Sequence, residues 1–74
     1  MKRSKYLNLE AELSRAGINK SALARSIGIS SSSMYAKIRG ERDFKITEID
    51  NIISMLSELT DQELTVDYLF KPRL

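Results

Sequence analysis

The chain has 74 residues, of which 42% are hydrophobic, and it contains neither cysteine nor histidine. This length allows one compact domain, and the two missing residue types exclude disulfides, thiolate zinc sites and the commonest general base, so we expect no catalysis, cofactor or metal. Charge is divided unevenly, with ten basic and four acidic residues in 1–45 but two basic and six acidic residues in 46–74.

A basic first half and an acidic second half are typical of a protein that faces phosphate, although chance also produces such a division in a short chain. The sequence has no run of 18 apolar residues, so we expect no membrane span. The basic start, residues 1–5, is followed by no apolar core. We therefore expect no secretion signal and a cytoplasmic location.

The spacing of glycine and apolar residues predicts short helices, and apolar residues do not alternate as they do in strands. The first predicted helix ends at Gly17, the second at Gly28 and the third at Gly40. Asn19 is a good N-cap for the second, and Ser30 for the third. The expected inward side chains of these three helices are Tyr6, Leu9, Leu13 and Ala16, then Leu23, Ala24 and Ile27, then Met34 and Ile38.

The second half of the chain predicts one longer helix and a short closing element. The longer helix has a wide apolar face, formed by Ile46, Ile49, Ile52, Ile53 and Leu56. Thr60 and Glu63 have the spacing of a capping box, which predicts a fifth helix through Leu64, followed by an apolar segment at 68–70. We expect residues 1–4 and 71–74 to fray. The predicted fold is an all-α bundle of four to five short helices.

Two helices of about eight residues are predicted to meet across the turn at 28–30. Glycine in this turn provides the positive φ that a tight bend requires, and Ala24 is small enough for a close helix crossing. This is the helix-turn-helix pattern, in which the second helix enters the major groove of DNA. The whole chain, 1–74, then forms one helix-turn-helix domain.

The stretch from Lys20 to Ser30 is similar to the L-A-x-x-x-G-[IV]-S core of the phage repressor and Cro type of helix-turn-helix regulator. The stretch from Met34 to Gly40 resembles the end of the recognition helix and the loop after it in that family. Together with Phe44 and the apolar ending, the chain resembles small regulators of Gram-positive phages and mobile elements over about residues 5–70. Two positions depart from the family pattern: Lys20, often glutamine, and Lys37, usually apolar.

The resemblance implies a lambda-repressor-like fold and a double-stranded DNA operator as the partner, bound by inserting the helix at about 30–38 in the major groove. The side chains expected at base edges are Ser31, Ser32, Ser33, Tyr35 and Ala36. The side chains expected at phosphates are Asn19, Lys20, Ser21, Lys37, Arg39, Arg42 and Lys45. The implied activity is transcription regulation, as a repressor.

Several alternatives remain open at this point. Residues 30–33 could be a serine-rich linker, Tyr35 could be surface packing, and the cations at 39, 42 and 45 could be solvated charges. The cluster of Leu64, Tyr68, Leu69 and Phe70 could support a weak homodimer, including one that forms only on DNA, or could cover the core of the monomer. A protein-interaction module, such as an antirepressor or antitoxin-like adaptor, is the alternative function.

Overall fold

The computed structural model describes residues 4–72, which form five helices and no strand. They are α1 (Leu7–Ala16), α2 (Lys20–Ile27), α3 (Ser31–Arg39), α4 (Ile46–Thr60) and α5 (Val66–Leu69). The predicted all-α class is therefore confirmed. Within residues 4–72, no helix combines the length and the apolar character needed to cross a membrane.

The predicted boundaries of the first three helices agree with the structure to within a residue or two. Asn19 caps α2 by accepting a hydrogen bond at Oδ1 from the Ala22 N–H over 2.8 Å. Ser30 caps α3 in the same way, since its Oγ accepts from the Ser33 N–H over 3.1 Å. A side-chain oxygen at this position satisfies one of the amides that the first turn of a helix leaves free.

The core contains one buried set of side chains, contributed by all five helices and by Tyr6 just before α1. Most of the residues predicted to point inward belong to it. Its members are Tyr6, Leu9, Leu13, Leu23, Ala24, Met34, Ile38, Ile52, Leu56 and Leu69. Ala24 is 1% exposed, as expected of a small residue at a helix crossing.

The apolar face predicted for α4 is narrower than its isoleucines suggest. Ile52 and Leu56 are buried and Ile49 and Ile53 are half-buried, but Ile46 is 78% exposed. The expectation that the whole isoleucine stripe packs in the core is wrong for Ile46. Ile46 is the first residue of α4, and its side chain lies in solvent although Glu48, two positions later, is buried.

The capping box predicted at Thr60 is also wrong. Thr60 is the last residue of α4, and its Oγ1 donates to the Leu56 carbonyl over 2.7 Å. Asp61 then takes a left-handed φ of 53° and ends the helix. The fifth helix begins later, where the Thr65 Oγ1 accepts from the Tyr68 N–H over 3.2 Å. The T-x-x-E spacing predicted a helix start, but no apolar helical run follows it.

The C-terminal segment covers the core of its own chain. Leu69 is fully buried, and the Phe70 ring lies 5.5 Å from Tyr6 and 5.2 Å from Phe44 between ring centroids. Glu12, 1% exposed, accepts hydrogen bonds from the Tyr68 hydroxyl at 2.8 Å and from Gln62 Nε2 at 2.9 Å. These contacts favour covering the core of the monomer over homodimer formation as the role of this segment.

The fraying predicted at both ends concerns mainly residues 1–3 and 73–74, which lie outside the described residues. Ser4 is described, and its Oγ accepts a hydrogen bond from the Tyr6 N–H over 3.1 Å. The Lys5 N–H donates to the Ile38 carbonyl at the end of α3 over 2.7 Å. The segment at 4–6 is therefore attached to the end of α3.

Candidate nucleic-acid interface

The turn between α2 and α3 has the backbone geometry that its glycine predicts. Gly28 has a φ of +78°, a conformation that side chains with a Cβ rarely adopt. The Ile29 N–H then donates to the Ala24 carbonyl over 3.0 Å, which closes the end of α2. Residues 28–30 thus join two helices of eight and nine residues. Because Ser31, Ser32 and Ser33 lie within the second of these helices, the linker alternative for the serines is excluded.

The first turn of α3 presents hydroxyl groups to solvent. Ser31 and Ser32 are exposed and Ser33 is half-buried. The Ser30 hydroxyl, beyond its capping role, also lies 3.0 Å from the Ser33 hydroxyl. One turn further along, Tyr35 is 39% exposed and Ala36 is half-buried. The five side chains predicted for base contact therefore lie along one helix, and Ser31, Ser32 and Tyr35 are the most accessible of them.

The N-terminal end of α2 lies beside Tyr35. Lys20 extends its ammonium over the Tyr35 ring, with Nζ 5.8 Å from the ring centroid. The same ammonium is 2.8 Å from the Glu10 Oε2 on α1. These residues, with Asn19 and others, line an open depression of about 300 Å³. Ser21, the third predicted phosphate contact at this end, is half-buried.

The cations that follow α3 are not equivalent. Arg39 forms two hydrogen bonds to Glu41, at 2.9 and 3.2 Å, and the side-chain hydrogen bond to that carboxylate raises the pKa of Arg39. Arg42 is exposed and donates to the Ser33 Oγ over 3.3 Å, so its guanidinium lies next to the first turn of α3. Lys45 is exposed at the start of α4. Arg42 and Lys45 are therefore the accessible cations at this end of the surface.

Lys37 corrects the predicted phosphate set. Its side chain points into the protein, where the residue is 4% exposed, and its Nζ lies 2.6 and 2.7 Å from the two carboxylate oxygens of Glu48 on α4. The ammonium is therefore not available to a phosphate in this structure. Lys37 precedes Ile38 at a position where the resemblance leads us to expect an apolar residue, and the structure buries both.

Glu48, which the sequence reasoning missed, joins α3 to the start of α4. Its carboxylate accepts from Lys37 on α3 and, over 2.9 Å, from the backbone N–H of Lys45. Burial acts to raise the pKa of Glu48, but the hydrogen bonds from Lys37 and from the Lys45 backbone, with the charges of both lysines, outweigh burial and hold this pKa below its usual value. The sequence signal that could have revealed Glu48 was Lys37, which occupies a position of α3 where an apolar residue is expected. A lysine buried at such a position requires an acidic partner.

The lowered pKa of Glu48 predicts a specific loss of stability in acid. A carboxyl group whose pKa is lower in the folded than in the unfolded chain stabilises the fold above its unfolded pKa, and this contribution is lost as the pH falls through the folded pKa. Between about pH 5 and pH 3, urea unfolding should show a steeper loss of free energy of unfolding for the wild type than for Glu48→Gln. Parallel curves for the two proteins would exclude Glu48 as the source.

Comparison of the chain with protein-family models, with curated proteins and with solved structures finds no match. Within residues 4–72, no group of three or more acidic, histidine or cysteine side chains is arranged to hold a metal ion. Any function must therefore be argued from the geometry of the surface formed by α2, α3 and the segment at 39–45.

Proposed function

We propose that this chain is a sequence-specific regulator of transcription that binds double-stranded DNA, and that it acts as a phage-type repressor by inserting α3 in the major groove. One observation carries the proposal. Exposed hydroxyl and aromatic side chains lie in a row on α3, with Lys20 near one end of the row and the exposed cations Arg42 and Lys45 near the other.

Base readout is assigned to the exposed edge of α3. Serine hydroxyls both donate and accept, and therefore discriminate weakly among bases, whereas the Tyr35 ring or the Ala36 methyl can pack on a thymine methyl. Short side chains do not form the bidentate contacts that arginine or glutamine form. Water-mediated contacts and DNA shape would then supply part of the specificity.

Phosphate contact is assigned to both ends of this edge. Lys20 lies at the N-terminal end of α2 with Asn19 and Ser21, and free backbone amides at a helix start favour an anion. Arg42 and Lys45 lie at the other end, with Arg39 as a further candidate that is bound to Glu41 in the free protein. Contacts of this kind orient a protein on the duplex without reading its sequence.

Operator binding would involve two copies on half-sites about 34 Å apart. Because the C-terminal apolar segment covers the core of its own chain, we propose that association between copies is weak and depends on DNA. The alternative function, a protein-interaction module, predicts no salt-dependent affinity for DNA.

The experiment that tests the function is selection of bound duplexes from a random DNA library by the full chain. A regulator of this kind should enrich one short motif, and competition at one fixed salt concentration should then favour the enriched duplex over a scrambled one. Recovery of unenriched DNA would reject sequence-specific recognition. Absence of any salt-dependent binding would reject DNA as the partner and favour the protein-interaction alternative.

Arg42→Ala is predicted to weaken binding to all DNA sequences alike. Each phosphate neutralised on B-DNA releases about 0.9 counterion, so the slope of log affinity against log salt should become shallower by roughly one unit. Fluorescence anisotropy of a labelled duplex over a series of KCl concentrations measures this slope. Lys71→Ala removes the same charge from an exposed position beyond α5 and should leave the slope unchanged. An unchanged slope for Arg42→Ala would remove Arg42 from the phosphate contacts.

A further inference from the structure

Glu10 holds the cation that the proposed function assigns to a phosphate. The Glu10 Oε2 lies 2.8 Å from the Lys20 Nζ, and both side chains are about 30% exposed. A carboxylate oxygen at this distance makes the charge-assisted contact that a phosphate oxygen would make with the same ammonium. Glu10 lies on α1, outside the helix-turn-helix, and no role in DNA contact is otherwise assigned to it.

We propose that Glu10 is an intramolecular competitor for DNA phosphate at Lys20, and that it sets how strongly this end of the surface binds DNA. The inference rests on the proposed function. In the free protein, the Glu10 carboxylate is paired with the Lys20 ammonium. On DNA, a phosphate must replace Glu10, and the displaced carboxylate then remains near the negatively charged backbone.

The same contact links phosphate binding to Tyr35. The ammonium of Lys20 lies over the Tyr35 ring as well as beside Glu10, so the two groups together hold it in one place. When Lys20 moves toward a phosphate, its contact with the ring weakens.

The test compares wild type with Glu10→Gln, which keeps the side-chain shape and removes the charge. A random-sequence duplex is titrated by fluorescence anisotropy over a series of KCl concentrations. We expect Glu10→Gln to bind about two- to fivefold more tightly at low salt, the range of an exposed ion pair. The gain should shrink as the KCl concentration rises, because salt screens the Glu10–Lys20 ion pair that DNA must break in the wild type. The slope of log affinity against log salt should therefore be steeper for Glu10→Gln than for the wild type.

Glu63→Gln is the control, because it changes the net charge by the same amount as Glu10→Gln. Glu63 is exposed and lies near Tyr68, away from Lys20. This variant should bind with the wild-type slope. In a Lys20→Gln background, Glu10→Gln should give no gain. A variant that binds like wild type or like Glu63→Gln, or a gain that persists without Lys20, would overturn the inference and leave the proposed function standing. If wild type shows no salt-dependent binding, the proposed function fails and the inference fails with it.

Discussion

Lys37→Met is expected to remove a large part of the stability of this domain at pH 7. The substitution keeps the side-chain length but leaves the Glu48 carboxylate, 7% exposed, without its cation. Breaking a buried ion pair by removing one partner costs about 3–5 kcal/mol, whereas small domains have a total stability of roughly 5–15 kcal/mol. Urea unfolding followed by circular dichroism measures the free energy of unfolding. The loss should shrink toward pH 4, because protonation of Glu48 removes the unpaired charge.

A paired substitution separates charge from packing. Lys37→Met combined with Glu48→Leu removes both charges together, and replacing a buried pair by apolar residues is often neutral or stabilising. The double variant should therefore recover at least half of the stability that the single variant loses, with a remaining cost from the Lys45 N–H that Glu48 no longer accepts. If the double variant is as unstable as the sum of the two single variants, the pair contributes through packing rather than through charge.

Local chemistry made the first three helices predictable from the sequence. Asn19 and Ser30 are N-caps whose effect depends only on residues within three positions, and Gly28 has a φ that glycine adopts most readily. Met34 and Ile38 follow the helical period into the core. Where one turn of chain fixes the structure, the sequence was sufficient.

The contacts between distant segments were not predictable in this way. Lys37 and Glu48 are 11 positions apart, and Glu12 and Tyr68 are 56 positions apart. The periodicity of one helix does not show which residue of another element will pair with a given charged side chain. The exposure of Ile46 was unpredictable for the same reason. The sequence showed the apolar stripe of α4 but not which of its residues other elements cover.

These distant contacts change how the candidate surface is understood. The sequence analysis assigned all four cations in and after α3 to phosphates. In the structure, Lys37 is buried and Arg39 is bound to Glu41, whereas Arg42 and Lys45 are accessible. Lys37 thus has a structural role, since its ion pair with Glu48 holds α3 against α4. The same Glu48 carboxylate accepts from the Lys45 N–H at the start of α4. The number of phosphate contacts expected from the surface is correspondingly smaller.

Replacing Ser31, Ser32 and Tyr35 together by alanine is expected to abolish the preference for the selected operator. These are the most exposed of the side chains assigned to base readout, and none of them lies in the buried core. The variant should therefore remain folded, and non-specific, salt-sensitive binding should persist because Arg42 and Lys45 are unchanged. Loss of specific contacts commonly removes a factor of about 10³ or more between operator and unrelated DNA.

The measurement is a competition titration of operator against scrambled duplex at one fixed salt concentration, with circular dichroism to check the fold. The control variant replaces three exposed residues of α4, Asn51, Ser54 and Leu59, by alanine and should keep the wild-type preference. A folded α3 variant that still prefers the operator would show that α3 does not read the bases. Base recognition would then have to come from another exposed element, and the assignment of base readout to α3 would fail even if the protein binds DNA.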